Sequence, residues 1–189
     1  MTDSMQTDVL IIGCGIAGAT TALRLARHPN RHITILSRDP DPRESNSRYA
    51  QGGIIGRDAD SAPSLVADIL AAGAGASSPQ AARILADEGP SLVQEILVQT
   101  AGIAFDRDAD GQLIWGQEAA HSCRRILHVG DSTGQAIMAG LIAALQRCPN
   151  VTVMTNATAV DLITFPHHSR DPLSAYSPIT CHGAYVFHR

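Results

Sequence analysis

The sequence has no hydrophobic run long enough to cross a bilayer. Near its start the longest, Val9 to Ile12, has four residues, whereas a membrane helix needs about 20. It also lacks the charged n-region and long apolar h-region of a secretory signal. No basic run is present, and 14 Lys and Arg against 18 Asp and Glu leave a formal net charge of -4. Nothing in that balance draws the chain to nucleic acid or to an anionic membrane, so neither partner is expected. Cysteine is sparse and scattered: Cys14, Cys123, Cys148 and Cys181 form no C-x-x-C pair, which argues against a zinc ribbon or a redox dithiol. His167 and His168 are adjacent but have no spaced companions, so they read as loop residues and no metal is expected. Internal repeats and low-complexity tracts are missing as well. These absences together predict a cytoplasmic location. The 44% hydrophobic and 17% charged content of the 189 residues is that of a globular chain with a real core, not a disordered one.

The apolar pattern predicts the elements. Asp8 to Ile12 reads as a strand ending at Gly13, and Ile16 to Arg27 as a helix with Ile16, Thr20, Leu23 and Ala26 at helical spacing. His32 to Leu36, rich in β-branched residues, reads as a second strand parallel to the first, which completes a βαβ unit. A helix follows from an N-cap at Ser61 to the Gly73-Ala74-Gly75 cluster. Pro79 and Pro90 mark the starts of two more helices, Gln80 to Glu88 and Ser91 to Thr100, because a proline costs least where its missing N–H would be unused. Ile103 to Gly116 reads as irregular. There Asp106, Asp108, Asp110 and Gly111 imitate a calcium loop, but the twelfth position is Gln117 rather than Glu, and a polar turn is expected. Thr133 to Arg147 reads as a helix, and Val151 to Met154, Ala157 to Ile163 and Ile179 to Phe187 read as strands, with a polar loop from Pro166 to Pro178.

Four clusters carry chemistry. Gly13-Cys14-Gly15-Ile16-Ala17-Gly18 fits G-x-G-x-x-G between strand and helix. In that context Gly13 allows the tight turn, Gly15 the approach of backbone to a pyrophosphate, and Gly18 close helix–strand packing. About 20 residues on, a dinucleotide fold places an acid at the ribose, but here Ser37-Arg38 stands, with Asp39 one or two positions late. The hydroxyl can still bond a ribose and Arg38 can stack on adenine or meet a phosphate, which departs from ordinary NAD recognition. The run Asn46-Ser47-Arg48-Tyr49-Ala50-Gln51-Gly52-Gly53 points to flavin. Its paired glycines let backbone approach a bulky ligand, and its small polar residues offer hydrogen bonds. Glu118 to Arg125 gathers a carboxylate, the His121 imidazole, the Ser122 hydroxyl and two guanidiniums, suited to a small charged substrate: arginines to carboxylates, Glu118 to an ammonium. A fourth stretch, Gly130 to Gly134, reads as structural, with Asp131 or Ser132 capping the next helix.

In order, these clusters and the Ala72-Gly73-Ala74-Gly75 turn resemble the amino-terminal part of the L-aspartate oxidase family, across nearly the whole chain. That family is grouped with the flavoprotein subunits of succinate dehydrogenase and fumarate reductase. The resemblance implies an α/β fold: a Rossmann-like FAD-binding domain with a parallel sheet and flanking helices, incomplete within residues 1–189. It implies FAD held non-covalently, because Asn46 stands where the membrane relatives carry the histidine linked to flavin. It further implies oxidation of L-aspartate to iminoaspartate, with O2 or fumarate as acceptor, as the first step of NAD biosynthesis and with a functional link to quinolinate synthase. Glu118 is then the residue orienting the substrate amino group, with His121 and Ser122 as weaker neighbours. Ala119-Ala120 replaces the family's usual two glycines.

The same resemblance places a capping domain, a helical C-terminal domain and the proton-donating arginine beyond Arg189. The 189-residue chain alone is therefore expected not to turn over aspartate. Two other readings remain open at this point: a fumarate reductase or succinate dehydrogenase-like flavoprotein, and a non-catalytic nucleotide-binding remnant.

Overall fold

The computed structural model describes residues 4–56 and 62–189. The chain runs through β1 (Val9–Ile12), α1 (Ile16–Leu25), β2 (Ile33–Leu36), a 3-10 turn (Asn46–Tyr49), β3 (Ile54–Ile55), α2 (Ala62–Ala72) and α3 (Pro79–Leu92). A π-helical stretch (Val93–Thr100) follows, then β4 (Ile126–Leu127), α4 (Thr133–Leu145), β5 (Val151–Met154), β6 (Ala157–Phe165), a second 3-10 turn (Pro172–Tyr176) and β7 (Thr180–His188). Packing divides it into two units: residues up to 44 together with Leu145–Arg189, and Ser45–Ala144.

The first unit holds a parallel three-stranded sheet in the order β1-β2-β5, with Val9 opposite Ile33 and Ile33 opposite Val151. The central strand is buried at all four residues, Ile33 to Leu36, as expected of an apolar strand with neighbours on both edges of a parallel sheet. The βαβ expectation holds, and the third strand comes from the far end of the chain. The first helix buries Ala19, Ala22 and Leu23. Of the positions the spacing suggested, Leu23 is buried and Ile16, Thr20 and Ala26 are half-buried; the Thr20 hydroxyl bonds back to Ile16 O at 2.7 Å, spending its polarity within the helix. Small residues on the buried face let helix and sheet approach closely. Asn150 then ties the turn after α1 to the start of β5, its amide donating to Ala26 O, His28 O and Arg31 O at 3.0–3.2 Å. The β6–β7 pair is antiparallel from Ala157 opposite His188 to Phe165 opposite Thr180.

The second unit is mainly helical, with a core of Leu65, Val93, Ile96, Leu97, Ile103, Phe105, Ile126, Leu127, Met138 and Leu141. The third helix starts as expected, with Pro79 in its first turn and the Ser78 hydroxyl accepting from Ala81 N at 3.3 Å. Pro90, however, starts nothing. It lies inside α3, which continues directly into the π-helical stretch. A proline removes one N–H and crowds the carbonyl four residues back, and the wider π turn that follows re-spaces the ladder. At the junction Val93 N still donates to both Gly89 O and Pro90 O, while at the far end Ala101 N reaches back five residues to Ile96 O at 2.8 Å.

The expected end of α2 is correct: the helix stops at Ala72, and Ala74 and Gly75 both take positive φ, 46° and 89°. The expected cap at Ser61 lies outside the described residues. The Asp106–Gly111 stretch is the polar turn anticipated, with Asp108 Oδ1 accepting from Asp110 N and Gln112 N at 3.0 and 2.8 Å. It is less irregular than expected, because Arg107 pairs with Leu113. At the start of α4 the Ser132 hydroxyl donates to Val129 O at 3.3 Å, and Thr133 Oγ1 accepts from Val129 N at 3.1 Å.

Candidate functional site

In the first unit the glycine turn and Ser37-Arg38 meet at the carboxyl edge of the parallel sheet. Gly13 has φ 106° and donates its N–H to Leu36 O at 3.0 Å, which fixes the end of β1 against the end of β2. Gly15 is the N-cap residue of α1, without a side-chain cap and with no acidic residue in the first turn. A helix N-terminus with no acidic residue in its own first turn is suited to an external anion. A Cβ on Gly18 would collide with Gly13 O, so the third glycine is required by the turn itself. Cys14 is buried, and desolvation pushes its thiol up to about 11, which keeps it protonated and inert. Ile16 and Ala17 complete the first turn.

Ser37 is only 3% exposed and its backbone extends the sheet, donating to Met154 O and accepting from Ala157 N. Its hydroxyl donates to Asp39 O at 3.4 Å. The Asp39 carboxylate accepts from Asp41 N at 3.0 Å, so it closes a local turn. Arg38 is the exposed group at this edge. Carboxyl ends of parallel strands beside a glycine-rich turn are where such sheets bind nucleotides. An uncapped helix N-terminus and an exposed guanidinium fit the phosphates of a dinucleotide.

In the second unit the flavin-type run begins as a 3-10 turn, Asn46, Ser47, Arg48 and Tyr49, with Asn46 and Tyr49 exposed. Ala50 O accepts from Gly134 N at 2.9 Å, and a Cβ on Gly134 would strike Ser47 O. The Gly130–Gly134 stretch is thus structural through the close approach of Gly134, a contact other than the cap expected there: α4 begins flush against the run. Gln51 and Gly52 are exposed. Gly53 precedes β3, whose two residues pair antiparallel with β4.

The glycines answer to the protein itself. A Cβ on Gly53 would run into the Ile126 side chain and Leu127 O, whereas one on Gly52 would lie 3.3 Å from Glu118 Oε1. Glu118 Oε1 also accepts from Gly53 N at 2.9 Å, joining residues 65 positions apart in sequence. Glu118, His121 and Gly53, with Ile54, Leu85 and Pro90, line a cavity of about 380 Å³. His121 N donates to Glu118 O at 2.9 Å, and among the described residues His121 Nδ1 is a buried atom without a hydrogen-bond partner.

Ser122 turns elsewhere. Its N–H and hydroxyl both donate to Asp68 Oδ2, at 2.9 and 3.0 Å. These hydrogen bonds hold the Asp68 carboxyl below its usual value, against the opposing effect of desolvation and with help from the Arg125 and His121 charges. Arg125 does not stand ready for a substrate carboxylate, as the sequence suggested. Arg125 is completely buried, with Nη2 3.4 Å from Asp68 Oδ2 and donating to Ser64 Oγ at 2.8 Å and Cys123 Sγ at 2.7 Å. Arg124 Nη1 donates to Trp115 O at 3.3 Å. Asp68 and Ser64 were missed from the sequence, since nothing local marks a carboxylate in α2 as the partner of a loop 54 residues away.

The family model described as an FAD binding domain matches residues 8–189. Among curated relatives, the L-aspartate oxidase of Mesorhizobium japonicum is 42% identical over 158 residues, 82% of this chain and 30% of that protein. Those of Yersinia pestis and Halobacterium salinarum are each 39% identical, over 97% and 87% of this chain. The chain spans about a third of their length, 34% and 31%. Among solved structures, an E. coli quinol fumarate reductase chain superposes with a TM-score of 0.80 at 19% identity, over 98% of this chain and 30% of its own. A flavocytochrome c3 fumarate reductase gives 0.75 at 20%, over 97% of this chain and 32% of its own. At these identities the structures establish the fold, α/β with a parallel sheet and flanking helices. With the uncapped helix, the glycine turn and a match over nearly its whole length, the chain belongs to the FAD binding domain family, and its cofactor is FAD.

Proposed function

We propose that this chain is the FAD-binding portion of an L-aspartate oxidase, which converts L-aspartate to iminoaspartate. The observation that carries the reading is Glu118: its carboxylate accepts from Gly53 N at 2.9 Å beside a cavity of about 380 Å³. In the reaction the Cα–H bond breaks with its electron pair, one ammonium proton departs and the C=N bond forms. Bound FAD would supply the acceptor for that electron pair, with O2 or fumarate as the final acceptor. The chain supplies placement and charge. Oε1 of Glu118 is engaged by Gly53, and its other oxygen is the acceptor for a substrate ammonium. His121, on the same cavity wall, supports that contact, and Ser122 shapes the loop through Asp68.

Gly13 to Gly18 hold the pyrophosphate at the start of α1, Ser37 and Arg38 the nucleoside end, and Asn46 to Gly53 the flavin end. Asn46 offers an amide, which forms no link to flavin carbon, so the cofactor is held without a covalent bond. The product suits a place before quinolinate synthase in NAD biosynthesis. Among the described residues no helix is long and apolar enough to cross a membrane, and with the net charge of -4 we favour the cytoplasm and neither a nucleic-acid nor a membrane partner. Residues 1–189 are then the amino-terminal portion of that oxidase, whose capping and helical C-terminal domains would come from further sequence.

The test uses a protein extended to the relatives' length, assayed for peroxide formed from L-aspartate and, separately, for fumarate reduction. Glu118→Gln is expected to impair the first more than the second. Equal losses would overturn the substrate-orienting role, and a protein inactive on aspartate but active on fumarate would favour the reductase. An extended protein that purifies without FAD and gains none on addition would favour a non-catalytic remnant.

A further inference from the structure

Glu118 stands on a loop whose base is closed but whose far side needs support. Gly116 and Ile126 form a bridge in which Gly116 N donates to Ile126 O at 2.8 Å, and Arg125 N and Ile126 N both donate to Gly116 O. Between these ends residues 117–120 are exposed; apart from the bond of the Glu118 carboxylate to Gly53 N, two hydrogen bonds seen among the described residues, His121 N to Glu118 O and Gln117 Nε2 to His121 O, are internal to the loop. Neither fixes its direction. Beyond the Glu118–Gly53 bond, the loop is anchored from outside by Asp68 of α2, whose Oδ2 takes both donors of Ser122. Asp68 is itself faced by Arg125, a guanidinium with no exposed surface, held by Ser64 of the same helix and by the Cys123 sulfur. A buried cation whose carboxylate is removed is left uncompensated, so carboxylate and guanidinium depend on each other.

We propose that Asp68 and Arg125 are positioning residues: their ion pair braces the 117–125 loop against α2 and so aims the Glu118 carboxylate at the Gly53 amide and the adjoining cavity. This deepens the reading of Glu118 as the substrate-facing group and rests on it for its consequence in catalysis. The geometry itself is testable without turnover.

The experiment is amide NMR of the 15N-labelled 189-residue chain, read at Gly53. An amide bonded to a carboxylate resonates downfield and follows that carboxylate's protonation, so Glu118→Gln defines the position of the lost contact. Asp68→Asn is expected to move the Gly53 amide upfield toward the Glu118→Gln position and to weaken its pH titration. Ser122→Ala, which keeps the backbone donor to Asp68, is expected to move it less and in the same direction. A folded Asp68→Asn chain with Gly53 at its wild-type shift and titration overturns the proposal. Should that variant fail to fold, an unmoved Gly53 amide in Ser122→Ala overturns it equally. A Glu118→Gln chain with an unmoved Gly53 removes the contact on which the brace acts, and the proposal with it. If Glu118→Gln shifts Gly53 yet spares aspartate oxidation in the longer protein, the catalytic reading fails while the brace stands.

Discussion

Replacing Gly53 by alanine separates a glycine needed by the protein from one merely close to a ligand site. The added methyl has two obstacles, the Ile126 Cγ2 methyl and the Leu127 carbonyl oxygen. The side chain can rotate away. The carbonyl cannot, because Leu127 is fully buried and its strand is paired with β3, Ile54 opposite Leu127. Overpacking of this kind costs about 1–3 kcal/mol, and the backbone obstacle places Gly53→Ala toward the upper end. Any shift of the strand that relieves the clash also lengthens the 2.9 Å bond from Gly53 N to Glu118, a charge-assisted contact at an exposed carboxylate whose net worth is about 1 kcal/mol after solvent screening. The sum is about 3–4 kcal/mol, a fall of about 6–16 °C in Tm for a chain of this size.

Gly52→Ala is the control, since its methyl would meet only the end of the Glu118 side chain, at 3.3 Å. It should cost less than about 0.5 kcal/mol, as surface substitutions do. Urea denaturation followed by fluorescence of the single tryptophan, Trp115, reads both variants in the unit that contains them. Equal losses in the two, or a Gly53→Ala midpoint indistinguishable from wild type, would refute the argument that β4 dictates this glycine.

Gly18→Ala places a methyl against Gly13 O and should open the glycine turn. FAD affinity, followed by flavin fluorescence quenching, is expected to fall at least about tenfold, the equivalent of about 1.4 kcal/mol; unchanged affinity would dissociate the turn from the cofactor. Cys14, buried and with its thiol raised to about 11, should resist iodoacetamide at pH 8 while exposed Cys181 is alkylated; mass spectrometry of timed digests decides the order. The Asp68 carboxyl is held below its ordinary 3.8. Its stabilising contribution is therefore complete above that value and lost as pH falls through the lowered one. The stability gap between wild type and Asp68→Asn should be constant near neutrality and close below about pH 4; a gap that widens on acidification would contradict the sign.

Local patterns made the sheet-edge half of the site legible. A strand, a glycine turn and a helix are specified by neighbours a few residues apart, and Ser37-Arg38 follows from the length of the second strand. Pro90 was misread because the cost of an interior proline depends on what the next turn can do, and here the helix widens instead of ending. The strands β3 and β4 have two residues each, too few for any periodicity, yet their pairing is what makes Gly53 obligatory. Arg125 looked like a ligand for substrate because sequence displays charge and not burial.

Sequence by itself determined the family and the cofactor class, since a pyrophosphate is bound by backbone in a turn whose φ values only certain residues permit. Tertiary structure alone decided which charges remain available. Asp68 takes both donors of Ser122 and pairs with Arg125, and Glu118 reaches Gly53, because packing brings together groups 54 to 65 positions apart. Desolvation and hydrogen bonding act across space, and the order of residues along the chain does not record them.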